Sequence, residues 1–521
     1  MADLQKFKDA ISAGYETKGD YIVLGAAMLD GAAVEGLQVK APLKTFNRHG
    51  LIAGATGTGK TKTLQVISEQ LSAKGVPVLL MDIKGDLSGI AAAGTTNPKI
   101  EERQAKIGMA WTPQGSPVEF LSLSKESGVR MRATVSEFGP VLFSKILGLN
   151  DVQTGVVTVV FKYCDDKKMP LLDLKDFKKV LNFLTNEGKK EIEENYGKIS
   201  TATVSTILRG IVELEQQGAE IFFGEKSFEV DDLVRIDENG KGVLSILRLT
   251  DIQDKPKLFS TFMLSLLAEI YSTFPEEGDT GVPKLVIFID EAHLIFEEAS
   301  KALLDQIETI IKLIRSKGIG IFFCTQNPMD VPDGVLAQLG MKVQHALRAF
   351  TAKDRKQIKL TAENYPLTEF YDTENLLTSL GMGEALVTVL SEKGNPTPLA
   401  ATLLQAPHSR MDILTPQEIE VINSRSQLVK KYNEVIDSHS AYEMLSKKIE
   451  NASAAESQPA KTENTAKVEK EEPGMLEKGA GMIGDAVNSG AGKIIIREVT
   501  RGLLGVLGFG GSTRTRKRSL F

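Results

Sequence analysis

Short apolar runs alternate with longer segments of helical periodicity between about Phe46 and His408. Several runs are apolar throughout, which is typical of strands in a parallel sheet that is covered on both faces. The predicted strands are His49–Ala53, Pro77–Asp82, Gly242–Leu247, Lys284–Asp290, Ile319–Thr325, Lys342–Leu347 and Glu384–Leu390. We therefore expect an α/β fold with a mostly parallel central sheet and helices on both of its faces.

The same patterns divide the chain into parts. Between two of the predicted strands, a long stretch has helix-period apolar spacing and almost no strand signal, and a later stretch has almost no large apolar residues. The predicted parts are an N-terminal segment with one strand at Tyr21–Gly25 (1–45), the first part of the sheet domain (46–146), an inserted all-α subdomain (147–235), the second part of the sheet domain (236–408), a helical extension (409–450), a disordered linker (451–473) and a Gly-rich tail with a basic end (474–521).

Composition narrows the class of protein. The chain has 521 residues, of which 42% are apolar and 25% are charged, and these values fit a globular protein and exclude a disordered, collagenous or disulfide-stapled one. With 62 Lys and Arg against 68 Asp and Glu, the net charge is −6, so contact with nucleic acid would need a local basic patch. Cys164 and Cys324 belong to no CxxC motif, which fits a reducing compartment.

The N-terminal residues carry alternating charges and lack the apolar centre of a signal peptide. No uninterrupted apolar run approaches the length of about 18 residues that a membrane span needs. We therefore expect no transmembrane segment and a cytoplasmic location.

The strongest motif follows the first predicted strand of the sheet. Eight residues match GxxxxGK[ST] between a strand and a helix, and they are Gly54, Ala55, Thr56, Gly57, Thr58, Gly59, Lys60 and Thr61, with Lys62 next in the helix. The glycines allow main-chain N–H groups to point at a phosphate, and the helix adds its positive end. Lys60 would reach the β- and γ-phosphates of ATP, and the Thr61 hydroxyl would bind Mg²⁺.

A second candidate is the acidic pair, Asp290 and Glu291, at the end of a buried strand. Asp290 would hold Mg²⁺, while Glu291 would orient and deprotonate the attacking water. A water-activating glutamate favours hydrolysis over phosphate transfer to a second substrate. The alternative is a solvated loop start or a helix cap.

Gln326 follows the strand that ends at Thr325. Because ligands of a doubly wound sheet lie at the carboxyl ends of its strands, Gln326 is expected near the γ-phosphate, where it would sense the phosphate or the water. The alternative is a turn at the strand end, and we favour this second interpretation for Asn327, which precedes Pro328. Cys324 is interpreted as a small buried residue of the strand.

Taken together, the motifs resemble those of the HerA/FtsK superfamily of RecA-fold motor ATPases, most of all the YjgR-type HerA-like proteins of bacteria. The resemblance covers about Phe46 to His408 and rests on Gly54–Thr61, Asp82–Asp86, Asp290–His293, Arg315–Gly318 and Thr325–Pro328. It implies a RecA-like P-loop NTPase fold, in which an all-α insertion is also characteristic.

Members of that superfamily form hexameric rings that move double-stranded DNA, or in some branches DNA with protein, through a central pore. The resemblance thus implies a homo-hexamer that acts on double-stranded DNA, with an unidentified protein as a further partner. It also implies that the neighbouring subunit contributes an arginine finger to each nucleotide site. Arg315 is the first candidate for that arginine and Arg348 the second, with an ordinary surface or salt-bridged arginine as the alternative for each. Asp82 and Lys84 match the family's second motif, and capping of the strand end explains them equally well.

Two other functions compete with the motor. An assembly or scaffold factor that uses ATP without moving nucleic acid would suit the acidic net charge and the absence of a basic stripe interleaved with aromatic residues. The letters of Asp290–His293 also spell the DEAH box of superfamily-2 helicases, but the chain has no QxxGRxGR-like motif for a second RecA-like domain.

Two further features bear on assembly. HerA proteins usually begin with a β-barrel assembly domain, whereas here only about 50 residues precede the phosphate loop. The basic end, Arg514 to Arg518, predicts either an anchor for a membrane surface or nucleic acid, or a strip that is solvated or packed on a neighbouring subunit.

Overall fold

The computed structural model describes residues 3–278, 281–296, 301–434, 436 and 438–456, without the side chains of 256, 301–303 and 452–456. The chain divides into two compact units. The first comprises Met1–Arg132, Gln216–Phe222 and Lys226–Val435, and the second comprises Ala133–Glu215, Phe223–Glu225 and Ile436–Phe521. The predicted disordered linker begins at 451, but residues 451–456 are helical. The rest of the linker and all of the predicted tail lie outside the described residues, so they stay predictions.

The described strands form one sheet in the first unit. They are β1 (Tyr21–Leu29), β2 (Ala32–Pro42), β3 (Gly50–Ala53), β4 (Val78–Asp82), β5 (Val118–Ser122), β6 (Val129–Arg130), β7 (Leu244–Arg248), β8 (Leu285–Ile289), β9 (Ile319–Thr325), β10 (Met341–Gln344), β11 (Glu384–Thr388) and β12 (Ala400–Leu404). Their order is β2-β1-β12-β11-β10-β3-β9-β8-β4-β7-β5-β6. The eight strands from β10 to β6 in this order pair in parallel, and the other pairings are antiparallel.

The helices of the described residues follow in chain order. They are α1 (Leu4–Gly14), α2 (Lys60–Ala73), α3 (Pro98–Ile107), α4 (Val135–Ile146), α5 (Asp151–Lys167), α6 (Leu174–Thr185), α7 (Lys189–Asn195), α8 (Thr201–Gln216), α9 (Pro256–Thr273), α10 (His293–Phe296), α11 (Lys301–Ile314), α12 (Asp333–Leu336), α13 (Ala352–Glu363), α14 (Thr373–Ser379), α15 (Pro416–Arg425), α16 (Gln427–Tyr432) and α17 (Ala441–Glu456). None of these described helices has the length and apolar character needed to span a bilayer.

The expected α/β fold with a mostly parallel sheet is confirmed. Strands β3, β4, β8 and β9 lie at its centre and are buried along their whole length. Phe322 of β9 packs on Phe46 and Phe288, with ring centroids 5.3 and 5.0 Å apart. Truncating such a ring to alanine typically costs about 3–5 kcal/mol of stability. The parallel strands end together at one edge of the sheet, here called the carboxyl edge, and begin at the opposite amino edge.

The antiparallel end of the sheet differs from the prediction. The N-terminal segment was expected to hold one strand, but it contains α1 and the hairpin β1–β2, and β1 continues to Leu29. Strand β12 was also missed. Both β1 and β12 contain pairs of alanines, Ala26–Ala27 and Ala400–Ala401, which give little β-branched signal.

The second unit contains α4 to α8 and α17 among its described residues. Phe143 lies at its centre and packs on Phe161, Phe177 and Phe223. The unit starts at Ala133, earlier than the predicted 147. Pro140 and the positive φ of 65° at Gly139 interrupt α4, and this break obscures its helical period in the sequence.

Candidate active site

The phosphate loop connects β3 to α2 at the carboxyl edge. Gly54, Gly57 and Gly59 have positive φ values of 150°, 79° and 114°, a region that side-chain-bearing residues rarely occupy. At Gly54 a Cβ would also lie 2.5 Å from the Cβ of His345. The backbone turn therefore requires all three glycines, and the close packing behind the loop also requires Gly54.

Neighbouring strands hold the loop through main-chain hydrogen bonds. Ala55 N donates to the carbonyl of Ala346 just after β10 at 2.8 Å, and Gly383 N, just before β11, donates to the carbonyl of Thr58 at 3.0 Å. The His345 imidazole lies 2.9 Å from the Thr63 hydroxyl of α2. Burial, and then the charge of Lys60, lower the pKa of His345 to about 4, so the ring is neutral at pH 7. These supports are far from the loop in sequence, and the motif gave no signal for them.

Lys60 and Thr61 begin α2. The Lys60 ammonium donates to the carbonyls of Gly54 at 2.7 Å and Ala55 at 3.3 Å. Burial lowers the pKa of Lys60, and the charge of Lys84 lowers it further, so an anion in the loop would stabilise the ammonium. The Thr61 hydroxyl donates to Asp86 Oδ2 at 3.2 Å, which brings a carboxylate outside the predicted set to this place.

The acidic pair follows β8 at the same edge. Asp290 is 7% exposed and Glu291 is 4% exposed. Burial, and then the charge of Glu291, raise the pKa of Asp290 to about 6, although Lys84 opposes the shift. Glu291 has a φ of 45°, a strained value for a residue with a side chain.

Two cationic or titratable groups contact the Glu291 carboxylate. The Lys84 ammonium forms an ion pair with Oε1, and His293 Nδ1 lies 3.3 Å from Oε2. Lys84 therefore lies at the acidic pair. The sequence had placed it in a motif without a chemical role.

Asp82 shapes the loop that carries Lys84. Its carboxylate accepts hydrogen bonds from the main-chain N–H groups of Gly85 at 2.8 Å, Asp86 at 3.1 Å and Leu87 at 3.2 Å. Burial, and then the charge of Asp86, raise the pKa of Asp82 to about 7. Strand-end capping thus describes the contacts of Asp82, while Lys84 and Asp86 reach the acidic pair and Thr61.

The polar residues after β9 occupy different positions. Thr325 pairs with Ala53 at the end of β3, so Gln326 lies beside the start of the phosphate loop, and its side chain is exposed. The Asn327 side chain accepts from Met329 N at 3.1 Å and caps a short 3₁₀ helix. Lys62, the last residue of the predicted binding set, donates to the Met411 carbonyl and to Gln65 Oε1.

The two candidate arginines lie at opposite edges. Arg348 is exposed and follows β10, close to the Ala346 carbonyl that receives Ala55 N. Arg315 precedes β9 at the amino edge, and a strand of seven residues spans roughly 20 Å. Arg315 also lines a cavity of about 570 Å³ there, together with Arg48, Lys312 and Lys342. The site residues predicted from motifs thus come together at one edge, except for Arg315.

A phosphate loop between a buried strand and a helix, with an acidic pair on a nearby strand of a RecA-like sheet, defines a P-loop ATPase. The family model described as "Helicase HerA-like C-terminal" matches residues 28–514. The chain therefore belongs to the HerA-like family of P-loop ATPases, which confirms the resemblance seen in the motifs.

Similar proteins of known name agree with this assignment. The chain is 24% identical over 380 residues to the DNA double-strand break repair helicase HerA of Saccharolobus solfataricus, covering 71% of this chain and 68% of the relative. For the protein of the same name from Sulfolobus acidocaldarius, the identity is 21% over 356 residues, covering 67% of this chain and 64% of the relative. The chain thus spans about two thirds of the length of these relatives.

Solved structures show the same fold. The plasmid coupling protein TrwB in complex with the ATP analogue ADPNP superposes with a TM-score of 0.51 at 14% identity, covering 79% of this chain and 95% of TrwB. The unbound TrwBdeltaN70, described as a bacterial conjugative coupling protein, gives 0.50 at 15% identity, covering 78% and 94%. The predicted RecA-like fold is thereby confirmed.

Proposed function

We propose that this HerA-like ATPase is a motor that hydrolyses ATP with Mg²⁺ and acts in the cytoplasm as a hexameric ring that moves double-stranded DNA as a translocase or helicase. One observation carries the proposal: the phosphate loop and a buried acidic pair meet at the carboxyl edge of one sheet. The names of the HerA relatives, which describe DNA repair helicases, support DNA as the polymer. The two buried free cysteines suit a reducing cytoplasm.

The triphosphate would be held by the main-chain N–H groups of Gly54–Thr61 and by the Lys60 ammonium. The surrounding oxygens suit Mg²⁺, which prefers carboxylate and hydroxyl ligands. Thr61 and Asp290 would hold the ion, and Asp86 joins them because its Oδ2 already contacts the Thr61 hydroxyl. Within the described residues, Asp86 Oδ1 is buried and has no hydrogen-bond partner, so it is available to the hydration shell of the ion. When bound, Mg²⁺ neutralises charge on the β- and γ-phosphates.

Hydrolysis would then depend on residues at the same edge. Glu291 accepts a proton from the water that attacks the γ-phosphorus, and the bond to the β-phosphate oxygen breaks to give ADP and inorganic phosphate. Gln326, exposed beside the loop, would orient that water or sense the γ-phosphate. Lys60 stabilises the charge that develops on the phosphate oxygens. Arg315 or Arg348 of a neighbouring subunit would supply the remaining cation.

Of the two competing functions, the fold argues against one and leaves the other open. A superfamily-2 helicase needs two RecA-like domains, whereas the strands of the described residues form one sheet. The scaffold factor stays an alternative because the chain carries a net charge of −6.

An ATPase assay on the full chain, with and without double-stranded DNA, tests the proposal. We expect Mg²⁺-dependent hydrolysis that DNA stimulates, DNA binding that weakens as salt rises, and rings in negative-stain images. The Glu291→Gln variant, assayed in parallel, controls for a contaminating ATPase. Hydrolysis by rings that neither bind DNA nor respond to it would favour the scaffold factor.

A further inference from the structure

Lys84 contacts the proposed general base, in the loop after β4 and at the edge of the sheet that holds the phosphate loop. Its ammonium is ion-paired with Glu291, and its side chain is 37% exposed, against 6% for that of Glu291. The pair therefore joins a buried carboxylate to a cation at the mouth of the site. Neither the phosphate-loop motif nor the acidic pair assigns a task to this lysine.

The charges around Lys84 indicate that it would bind an anionic ligand. Its positive charge adds to the burial that lowers the pKa of Lys60 and opposes the rise in the pKa of Asp290, so the ammonium of Lys84 acts on both ends of the site. Two ammonium groups that face one site repel each other unless an anion lies between them. The proposed triphosphate is such an anion. When the γ-phosphate is absent, the Glu291 carboxylate is the anionic partner of Lys84.

We propose that Lys84 senses the γ-phosphate: it holds Glu291 until ATP is bound, then pairs with the γ-phosphate and releases the carboxylate. This inference rests on the proposed ATPase function. It adds a second cation from the same chain to the substrate contacts, in a loop that no motif of the phosphate site includes.

The geometry favours movement of Lys84 rather than of Glu291. Lys84 has a long flexible side chain, whereas Glu291 is buried and held by an unusual backbone conformation with φ at 45°. His293 Nδ1, 3.3 Å from the other carboxylate oxygen, remains to orient Glu291 after Lys84 has left. The carboxylate therefore keeps its place and regains the lone pairs that the ammonium had engaged.

ATP and ADP should therefore differ in their effect on the ion pair between Lys84 and Glu291. An ATP analogue gains the contact with Lys84 but must break the ion pair, while ADP leaves the pair intact. In Glu291→Gln the ion pair is already lost, so Lys84 is free for the γ-phosphate from the start. Affinity for ADPNP should rise in this variant, and affinity for ADP should not.

The test is a double-mutant cycle on the full chain that measures the dissociation constants of ADP and ADPNP by calorimetry with Mg²⁺. Lys84→Met keeps the side-chain length without the charge, and Lys84→Arg keeps the charge. The matched control is Lys106→Met, because Lys106 forms an ion pair with Glu102 on the exposed surface of α3, at 2.7 Å. Thermal unfolding curves check that each variant folds, and Lys84→Gln replaces Lys84→Met if the latter does not.

We expect Lys84→Met to reduce the preference for ADPNP over ADP by about tenfold, because the lost charge-assisted hydrogen bond outweighs the ion pair that ADPNP no longer has to break. Lys84→Arg should restore most of that preference, and Lys106→Met should leave it unchanged. The gain in ADPNP affinity of Glu291→Gln should disappear when Lys84 is Met.

Three results would overturn the proposal. The first is an unchanged ADPNP preference in Lys84→Met, the second is an equal loss for both nucleotides, and the third is a gain from Glu291→Gln that persists without Lys84. The third result would mean that the charge of Glu291 alone repels the phosphate. If the wild-type protein bound neither nucleotide, the proposed ATPase function itself would fail, and the role of Lys84 with it.

Discussion

The two edges of the parallel sheet carry different kinds of polar surface. At the carboxyl edge, cations and carboxylates alternate within a small space, and Lys60, Asp290 and Glu291 are all less than a tenth exposed. At the amino edge, four cations line one open cavity, with Glu363 as the acidic side chain among its lining residues. We call this the amino-edge cavity, and its four cations are Arg48, Lys312, Arg315 and Lys342.

The difference indicates which edge of the sheet can act on the nucleotide of its own chain. A group that binds and cleaves a triphosphate within one chain must be near the phosphate loop, and the carboxyl edge supplies such groups. The cations of the amino-edge cavity lie roughly a strand length away from that loop, so they cannot serve the nucleotide of their own chain. If they act on a nucleotide, it belongs to a second copy, as the ring proposal requires.

The largest effect is expected at the carboxyl edge. Glu291→Gln should lower kcat by roughly 10³- to 10⁴-fold while ATP still binds, because the amide keeps the shape but accepts no proton. Lys60→Ala should instead remove most nucleotide affinity. Steady-state ATPase rates and equilibrium ATP binding separate the two outcomes. Full activity in Glu291→Gln would exclude this residue as the base.

The amino edge is tested by mixing subunits. Arg315→Ala should spare ATP binding but lower kcat of the assembled protein by about 10³-fold, as loss of an arginine finger does. Mixing inactive Arg315→Ala with inactive Glu291→Gln should restore activity, since a neighbour's Arg315 completes the site that keeps Glu291.

Arg348→Ala is the control for this experiment, because Arg348 lies at the carboxyl edge and is exposed. If the mixture stays inactive although mixed rings form, Arg315 does not act in trans. If Arg348→Ala complements Glu291→Gln instead, the finger is Arg348, and the amino-edge cavity has another role.

A smaller effect concerns pH and compares one buried histidine from each edge. Burial is the main cause that lowers the pKa of His345 and His49 from 6.5 to about 4. His49 is held by the Ile321 N–H at 3.0 Å and the Ile311 carbonyl at 2.9 Å. Because the folded-state pKa is depressed, protonation opposes folding. The contribution of each neutral histidine to the free energy of unfolding is complete above pH 6.5. It is lost as the pH falls towards 4, by about 1.4 kcal/mol per pH unit.

Urea unfolding at pH 7.5 and pH 5.0 measures this loss. His49→Gln and His345→Gln should each flatten the pH dependence, but only His345→Gln should also weaken nucleotide binding, because its ring supports α2 beside the phosphate loop. Equal effects of both variants on nucleotide binding would contradict the separation of the two edges.

The sequence predicts the features that are local. The central strands were found because β4, β8 and β9 are apolar along most of their length, and the phosphate loop because eight consecutive residues carry it. The acidic pair was found for the same reason, since it directly follows β8.

Features that depend on distant contacts were missed. The pairing of Lys84 with Glu291 joins loops after two neighbouring strands, β4 and β8, that are far apart in the chain. His345 and Gly383 reach the loop only because β10 lies beside β3 in the sheet and β11 lies on the other side of β10. Strands β5 and β6 gave weak signals because β6 has two residues and β5 carries Glu119, whose charge is paired with Arg235 at 2.8 Å.

The carboxyl edge of one chain is proposed to bind and cleave ATP. The decisive experiment is an electron cryomicroscopy structure of the Glu291→Gln protein with ATP and Mg²⁺. We predict the γ-phosphate at the Lys60 ammonium, Mg²⁺ at Thr61 and Asp290, and residue 291 facing the γ-phosphorus. A nucleotide bound elsewhere, or an acidic pair directed away from the phosphates, would exclude the carboxyl edge as the site of hydrolysis.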